Sequence, residues 1–327
     1  MKTKFIVGAA LCLLPVVAQN ASAQPSDAQP NAAFGANQPD WVTLRLNVQP
    51  GTRYRMTLNS DFKMVFVMAA AKRAAEKSEI AVAMKQVVNY AFLFRNDDGT
   101  MQVRMTYGAS SNRSSFKQNG KTQVVPSSAS DQFMAGQSVE MKMSARGEIS
   151  EIRGLEKIWD KAFSSKNTPG MTPAMRSQMR ANMNKMFGEK TIKSLTEQSG
   201  MSFPENPVRV GDSWMQRIET SGAMPFVINL RRTLQARDNG TLRIGEKGSL
   251  SFGDAQKAMP MAGANLKMLI SGTYSGTTIL DDRTNFVSQA TTSQRYGGQA
   301  SSSAKSQNLA MRIYGTGTSR TVVEMVQ

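Results

Sequence analysis

Thioethers, carboxylates, hydroxyls and amines are the reactive groups this chain offers. It has no histidine, and its one cysteine, Cys12, sits inside an N-terminal apolar run. Imidazole is the usual proton carrier near neutral pH, and His and Cys are the ordinary ligands of zinc, haem and iron–sulfur centres. A triad hydrolase, a thiol enzyme and a zinc enzyme are therefore disfavoured. No catalytic or cofactor-binding residue is assigned, and the reading leans to a protein without enzymatic activity. A hydrolase built from Asp, Glu, Ser and Lys alone is the remaining enzymatic alternative.

Of the 23 methionines, Met171, Met175, Met179, Met183, Met186 and Met201 crowd one segment. Met175, Met179 and Met183 fall at i, i+4 and i+8, one face of a helix. A soft thioether face of that kind suits Cu(I) in a periplasmic protein. Methionine is also an adaptable filler for a helix lying on a sheet, and a deformable lining for varied apolar ligands. Core packing is the first expectation. A ligand or partner groove lined by Met175, Met179, Met183, Met186 and Phe187, with Trp159 from the preceding helix, is the second, and Cu(I) the third. The other side of the same segment carries Arg176, Arg180 and Lys185 with no acid from 173 to 187. That is the pattern of a solvated face, or of a helix on an anionic membrane.

Weaker patterns carry little. Ser-x-x-Lys occurs at Ser60/Lys63, Ser114/Lys117 and Ser302/Lys305, about as often as chance gives in a chain rich in both residues. Asp97-Asp98 and Asp281-Asp282 fall in turn sequences, where turn chemistry explains them better than catalysis or calcium. There is no glycine-rich phosphate loop.

The elements that must position these residues are mostly strands. Val42, Leu44, Leu46 and Val48 alternate with polar residues, and Gln49-Pro50-Gly51 turns the chain into Tyr54, Met56 and Leu58. Val88, Tyr90, Phe92 and Phe94 alternate up to an Asp98-Gly99 turn, and Met101, Val103, Met105 and Tyr107 run back. Asn119-Gly120 marks a further hairpin, and Val139, Met141 and Met143 one more strand. The period then becomes helical. Leu155, Ile158, Trp159, Ala162 and Phe163 share one face, and Thr172-Pro173 reads as N-cap and first residue of a second helix. A short third helix is expected over 191–198. Strand alternation returns at Phe226, Ile228 and Leu230 and, after Asp238-Asn239-Gly240, at Leu242 and Ile244. Long strands are expected over 265–280, 285–296 and 308–326, with the Ser/Gln/Gly-rich stretch 297–307 as a loop.

Val48, Gly51, Tyr54 and Leu58 have the spacing of Val208, Gly211, Trp214 and Ile218, and the turn and strand of 98–103 resemble those of 239–244. Two related β units flanking a helical insertion would explain this.

Residues 1–23 read as a secretory signal peptide: Lys2 and Lys4, an apolar stretch from Phe5 to Val17, and Ala21-Ser22-Ala23 before the cut. Cys12 lies inside the apolar run after Leu11, which disfavours lipid anchoring. Residues 24–40 are rich in Gln, Pro, Asn and Ala and read as a disordered linker. About 300 residues then fold without disulfides, long enough to bury a sufficient core, and no later run is apolar enough for a membrane helix. The net charge of +16 fits a solvated surface or attraction to an anionic envelope surface. Dispersed Lys and Arg, with 7% aromatic residues, argue against nucleic acid.

Asn206-Pro207-Val208-Arg209-Val210-Gly211-Asp212-Ser213-Trp214, with Gly147-Glu148-Ile149 leading to Gly154-Leu155, resembles a family of uncharacterised secreted bacterial β-rich proteins. Its members share a G-x-x-Y-x-x-x-L strand start and a P-V-x-V-G-D-x-W segment. The resemblance covers most of 42–280 and implies architecture and location, with no activity attached. The expected fold is mainly β (α+β): antiparallel sheets forming a curved half-barrel or sandwich, similar in outline to bacterial lipoprotein-carrier folds. Its expected parts are a signal peptide at 1–23, a linker at 24–40, and one domain at 41–327. That domain divides into a β unit at 41–150, a helical insertion at 151–200 and a β unit at 201–327. The expected function is non-enzymatic binding of an apolar or amphipathic ligand such as a lipid, or of an envelope partner, on the inner face of the sheet. The location expected is the periplasm or the exterior.

Overall fold

The computed structural model describes residues 41–70, 73–118, 120–125, 134–164, 168, 170–187, 189, 202–219, 226–252, 259–261, 264–304 and 307–326. The leader, the linker and the expected third helix lie outside them. Thirteen strands form one antiparallel sheet: β1 (Arg53–Ala70), β2 (Arg73–Arg95), β3 (Met101–Gln118), β4 (Lys121–Val125), β5 (Ser138–Met143), β6 (Ile149–Arg153), β7 (Ser213–Glu219), β8 (Phe226–Asp238), β9 (Thr241–Phe252), β10 (Met259–Met261), β11 (Ala264–Asp281), β12 (Val287–Ala304) and β13 (Gln307–Val326). The order is β6-β5-β3-β2-β1-β13-β12-β11-β9-β8-β7, with β4 on β3 and β10 on β11. Helices α1 (Leu155–Ala162) and α2 (Pro173–Phe187) follow β6. The fold is mainly β, and it is one open curved sheet rather than a sandwich of two.

Alternation explains the curvature. On β1, Tyr54, Met56, Leu58, Ser60 and Met64 are buried, while Arg55, Asn59, Asp61 and Lys63 are exposed. A single sheet with one buried face and two short helices hides that face by curling around it. At one end the inside is plugged by residues 41–48, whose Leu44, Leu46 and Val48 are almost fully buried. This stretch is not a strand of the sheet. It is an extended crosspiece tied down by Val42–Val208 backbone bonds (2.7 and 2.9 Å), by Leu46 N–H to Ala145 O (2.7 Å) and by Asn47 N–H to Thr284 O (2.9 Å). Helix α1 adds Leu155, Ile158 and Trp159 to the same core.

Residues 297–304 and 307, expected in a loop, are strand. Strands β12 and β13 pair through them from Gly297↔Tyr314 to Ala304↔Gln307. Their polar composition reads as a turn, yet Gly298 lies close against the neighbouring strand, where a Cβ would collide with the Leu269 carbonyl. Strands β1 and β2 also run far past the short alternating stretches that mark them, to Ala70 and from Arg73.

The sheet contains one meander twice. Strands β1-β2-β3-β5-β6 and β7-β8-β9-β11-β12 lie side by side in the same sense, with β13 between β1 and β12. Gly51 (φ 87°) and Gly211 (φ 100°) both take the left-handed conformation that suits glycine. The Gly51 N–H donates to Phe92 O (2.7 Å) and the Phe92 N–H to Thr52 O (3.0 Å). In the second meander Gly211 donates to Leu234 O (2.8 Å) and Leu234 to Asp212 O (3.0 Å). Strands β2 and β8 carry register shifts at matching places, Phe92/Phe94 and Leu234/Ala236. So do β5 and β11, at Lys142/Met143 and Ile279/Leu280.

Candidate functional site

The inward rungs of the sheet can be followed strand to strand. One rung runs Asn112–Met84–Ser60–Ser319–Thr292–Gly276–Glu246–Arg232–Trp214. Most of it is polar, although Asn112, Ser60, Ser319, Glu246 and Arg232 are all buried. Two rungs farther from the plugged end the face is apolar: Phe116–Ile80–Met64–Gly315–Tyr296–Gly272–Leu250–Ile228–Ile218.

On β7 to β12 this apolar wall is closed. Ile218, Ile228, Leu250, Ile270 and Tyr296 form a core cluster with Met64 and Ile313, and Phe62 and Phe66 pack against it. The Tyr296 ring stacks near Phe62 (centroids 5.8 Å apart) and tilts against Phe252 (5.7 Å). Gly315 and Gly272 flank Tyr296 on its rung, and any side chain there would strike the residue. On β2 and β3 the same face is closed at Ile80 but only in part beyond it. Val82, Met84 and Phe116 point inward, stay partly exposed, and among the described residues pack on neither core cluster.

The polar rung centres on an ion pair. Arg232 Nη2 lies 3.1 Å from Glu246 Oε1, and both side chains are almost wholly enclosed (1% and 2% exposed). Glu246 also accepts from Tyr274 OH (3.1 Å) and Thr278 Oγ1 (3.3 Å), and Arg232 Nη1 donates to Ser202 O (3.1 Å). A Cβ at Gly276 would come within 3.1 Å of Glu246 Oε2, so glycine leaves room for the carboxylate. Burial, followed by the Glu246 charge, holds the Tyr274 phenol well above its usual titration range, so it stays a donor. Replacing a buried ion pair by apolar residues is often neutral or stabilising. Sequence reasoning passed over this pair, yet the parity was readable: Arg232 follows Phe226, Ile228 and Leu230 on the inward positions, and Glu246 follows Leu242 and Ile244.

Beside it, residues 202–216 line a cavity of about 480 Å³, with Ser202, Phe203, Asp212, Trp214 and Gln216 in its wall. Trp214 Nε1 and Arg232 Nε are buried with no hydrogen-bond acceptor among the described residues.

The methionine helix is placed differently from the first expectation. Thr172 caps α2 through Met175 N–H (3.2 Å), as its sequence implies, but Met175 (52%) and Met179 (39%) are exposed rather than packed as core. The helix meets α1 through an Arg180–Asp160 ion pair (2.6 Å). Trp159 is buried in the core of the plugged end. The structure therefore does not gather Trp159, Met175 and Met179 into one lining, and the side chains of Met183, Met186 and Phe187 lie outside the described residues. Among the described residues no cluster of three or more carboxylates is placed to hold a metal ion.

The outer face carries exposed cations beside exposed apolar residues such as Leu269 and Tyr314. Arg231 and Lys247 are direct cross-strand neighbours, both exposed, and Arg295, Arg312 and Arg320 are exposed on β12 and β13. Like charges opposite one another are unfavourable unless an anion lies nearby. No helix of the described residues is long and apolar enough to cross a membrane.

No curated protein sequence matches the chain. Among solved structures it is similar to lipovitellin, described for lipid–protein interactions, at 10% identity and TM-score 0.39. That likeness covers 83% of this chain, which spans only a quarter (25%) of the lipovitellin chain. It is also similar to two Pseudomonas aeruginosa proteins. The outer membrane protein OprG shows 6% identity and TM-score 0.23 over 85% of this chain and 99% of OprG. OccK7 shows 4% identity and TM-score 0.26 over 85% of this chain and 100% of OccK7. Residues 98–287, more than half of the chain, match a family of unknown function (DUF6263).

Proposed function

The chain belongs to the DUF6263 family of unknown function, and we propose that it is a non-enzymatic envelope protein that holds an apolar or amphipathic ligand inside its curved sheet. The observation that carries this is a partly exposed inward patch on β2 and β3, where Val82, Met84 and Phe116 face inward and belong to neither core cluster. An apolar surface of that kind is costly to leave against water, at about 25 cal/mol per Å². A ligand tail is the natural cover. Met175 and Met179 on α2 offer a second apolar surface for the same class of ligand, or thioethers for Cu(I) in the alternative reading.

The leader at 1–23, cut after Ala23, supports secretion to the periplasm or the exterior. The exposed Arg231–Lys247 pair supports attraction to an anionic envelope surface. Native mass spectrometry of the secreted protein tests the reading. Mass added by co-purified lipid, lost in a Val82→Lys/Phe116→Lys variant that still folds, is the expected result. A wild type that carries no lipid and takes up none from mixed vesicles would overturn it.

A further inference from the structure

The two meanders place Arg232 and Glu246 where the first meander has Tyr90 and Met105. Both pairs are direct cross-strand neighbours, Tyr90↔Met105 and Arg232↔Glu246, and each begins its rung beside Tyr54 or Trp214. One meander thus fills the position with Tyr and Met and the other with an ion pair, a kind of contact that apolar residues can often replace without loss of stability. Arg232 spends one nitrogen on Ser202 O and another on Glu246, leaving Nε without an acceptor. Trp214 Nε1, on the adjacent strand of the same rung, lacks one too. Ser202 and Trp214 are also part of the wall of the cavity of about 480 Å³, so the guanidinium stands directly behind that wall. Away from the plugged end, the next inward residues on β7 and β8 are Gln216 and Leu230, then Ile218 and Ile228.

From these unsatisfied buried donors, on the rung that also carries Met84 of the partly open β2 face, we infer that Arg232 and Trp214 bind the anionic head, a carboxylate or phosphate, of a long-chain amphiphile. The inference rests on the ligand-binding reading above and specifies its charge. Charge-assisted bonds from a guanidinium to an anionic oxygen are about twice as strong as neutral ones. Glu246, bonded by Tyr274 and Thr278, positions the guanidinium rather than touching the ligand.

The test compares oleate, methyl oleate and inorganic phosphate on the full chain. It uses the wild type and Arg232→Tyr/Glu246→Met, which installs the first meander's pair and avoids a lone buried charge. The wild type should bind oleate at least tenfold more tightly than methyl oleate, and the double variant should bind both alike with an unchanged melting profile. Equal binding of the two by the wild type would overturn the head-group assignment while leaving the apolar groove intact. Binding of neither would overturn both. Phosphate displacing oleate at equal concentration would make the site one for a free anion and also overturn the assignment. If the double variant unfolds, Trp214→Phe, which keeps an aromatic ring but removes the indole N–H and part of the ring volume, serves in its place and should weaken oleate more than methyl oleate.

Discussion

Trp214 stands in the second meander where Tyr54 stands in the first: each lies three residues after a left-handed glycine and opens an inward rung, against Arg232 and Tyr90 respectively. Tyr54 is buried, stacked on Phe286 at 4.3 Å, while Trp214 is partly exposed on the cavity. Tyr54→Ala should therefore cost about 3–5 kcal/mol in urea unfolding, as for other buried aromatics, and Trp214→Ala distinctly less. Equal losses would contradict the different burial of the two rings.

The Arg232–Glu246 pair predicts an asymmetry between single and double changes. Glu246→Ala leaves an enclosed guanidinium without its counter-charge and should lose about 3–5 kcal/mol. Arg232→Tyr with Glu246→Met should stay within about 1.5 kcal/mol of the wild type, since the same positions accept that pair one meander away. Denaturant midpoints of the three proteins decide this, and a double variant as unstable as the single one would refute it.

Tyr296 occupies space that two glycines leave. Gly315→Ala should destabilise by about 1–3 kcal/mol through overpacking, and Tyr296→Ser in the same chain should recover part of that loss. Additive losses from the two changes would mean that the ring does not depend on the glycine.

At the β11–β12 turn, Asp281 Oδ1 accepts from Arg283 N–H (3.1 Å), Thr284 N–H (2.9 Å) and Thr284 Oγ1 (2.9 Å). Partial burial alone would raise its pKa, but these bonds outweigh it and hold the carboxyl below its ordinary 3.8. A carboxylate depressed by folding adds stability above its unfolded pKa and loses it as pH falls through the folded one. Asp281→Ala should cost about 1 kcal/mol at neutral pH and almost nothing at the acid end of a titration. A loss independent of pH would contradict the charge-assisted bonds.

Exposed thioethers on α2 make Met175→Leu/Met179→Leu/Met183→Leu a clean probe. Volume-conserving swaps cost less than about 1.5 kcal/mol each in a core, and less where the side chains are exposed. Stoichiometric Cu(I) held by the wild type and lost in the triple variant would establish the metal reading; unchanged Cu(I) uptake would remove it.

Much of the architecture was readable because strand alternation is a strong signal wherever one face is buried. Tyr54–Met56–Leu58 and Met101–Val103–Met105 announce both the element and its inward side. The Gly51 and Gly211 spacing marked the repeat. Polarity misled where a strand's outward residues are Ser, Gln, Gly and Thr, as on β12, since composition cannot distinguish a hydroxyl on a solvated ladder from one in a loop. The start of β2 reads Arg73-Ala-Ala-Glu-Lys, good helix formers that pairing with β1 overrides. The ion pair escaped because its two members sit on different strands and only the register joins them.

Strand β13 joins the two meanders, pairing with β1 on one side and β12 on the other. Its residues follow every other strand described, and Val326 meets Arg53 from nearly the opposite end of the chain. Until those last residues are made, the long β1 edge has a partner on one side only, and the first meander is an unfinished sheet. Closing contacts of such sequence separation is slow, and an uncovered edge waiting for them invites pairing with other molecules. The seam at β13 thus joins the two meanders through the pairings of greatest sequence separation in the sheet, Arg53 with Val326 among them.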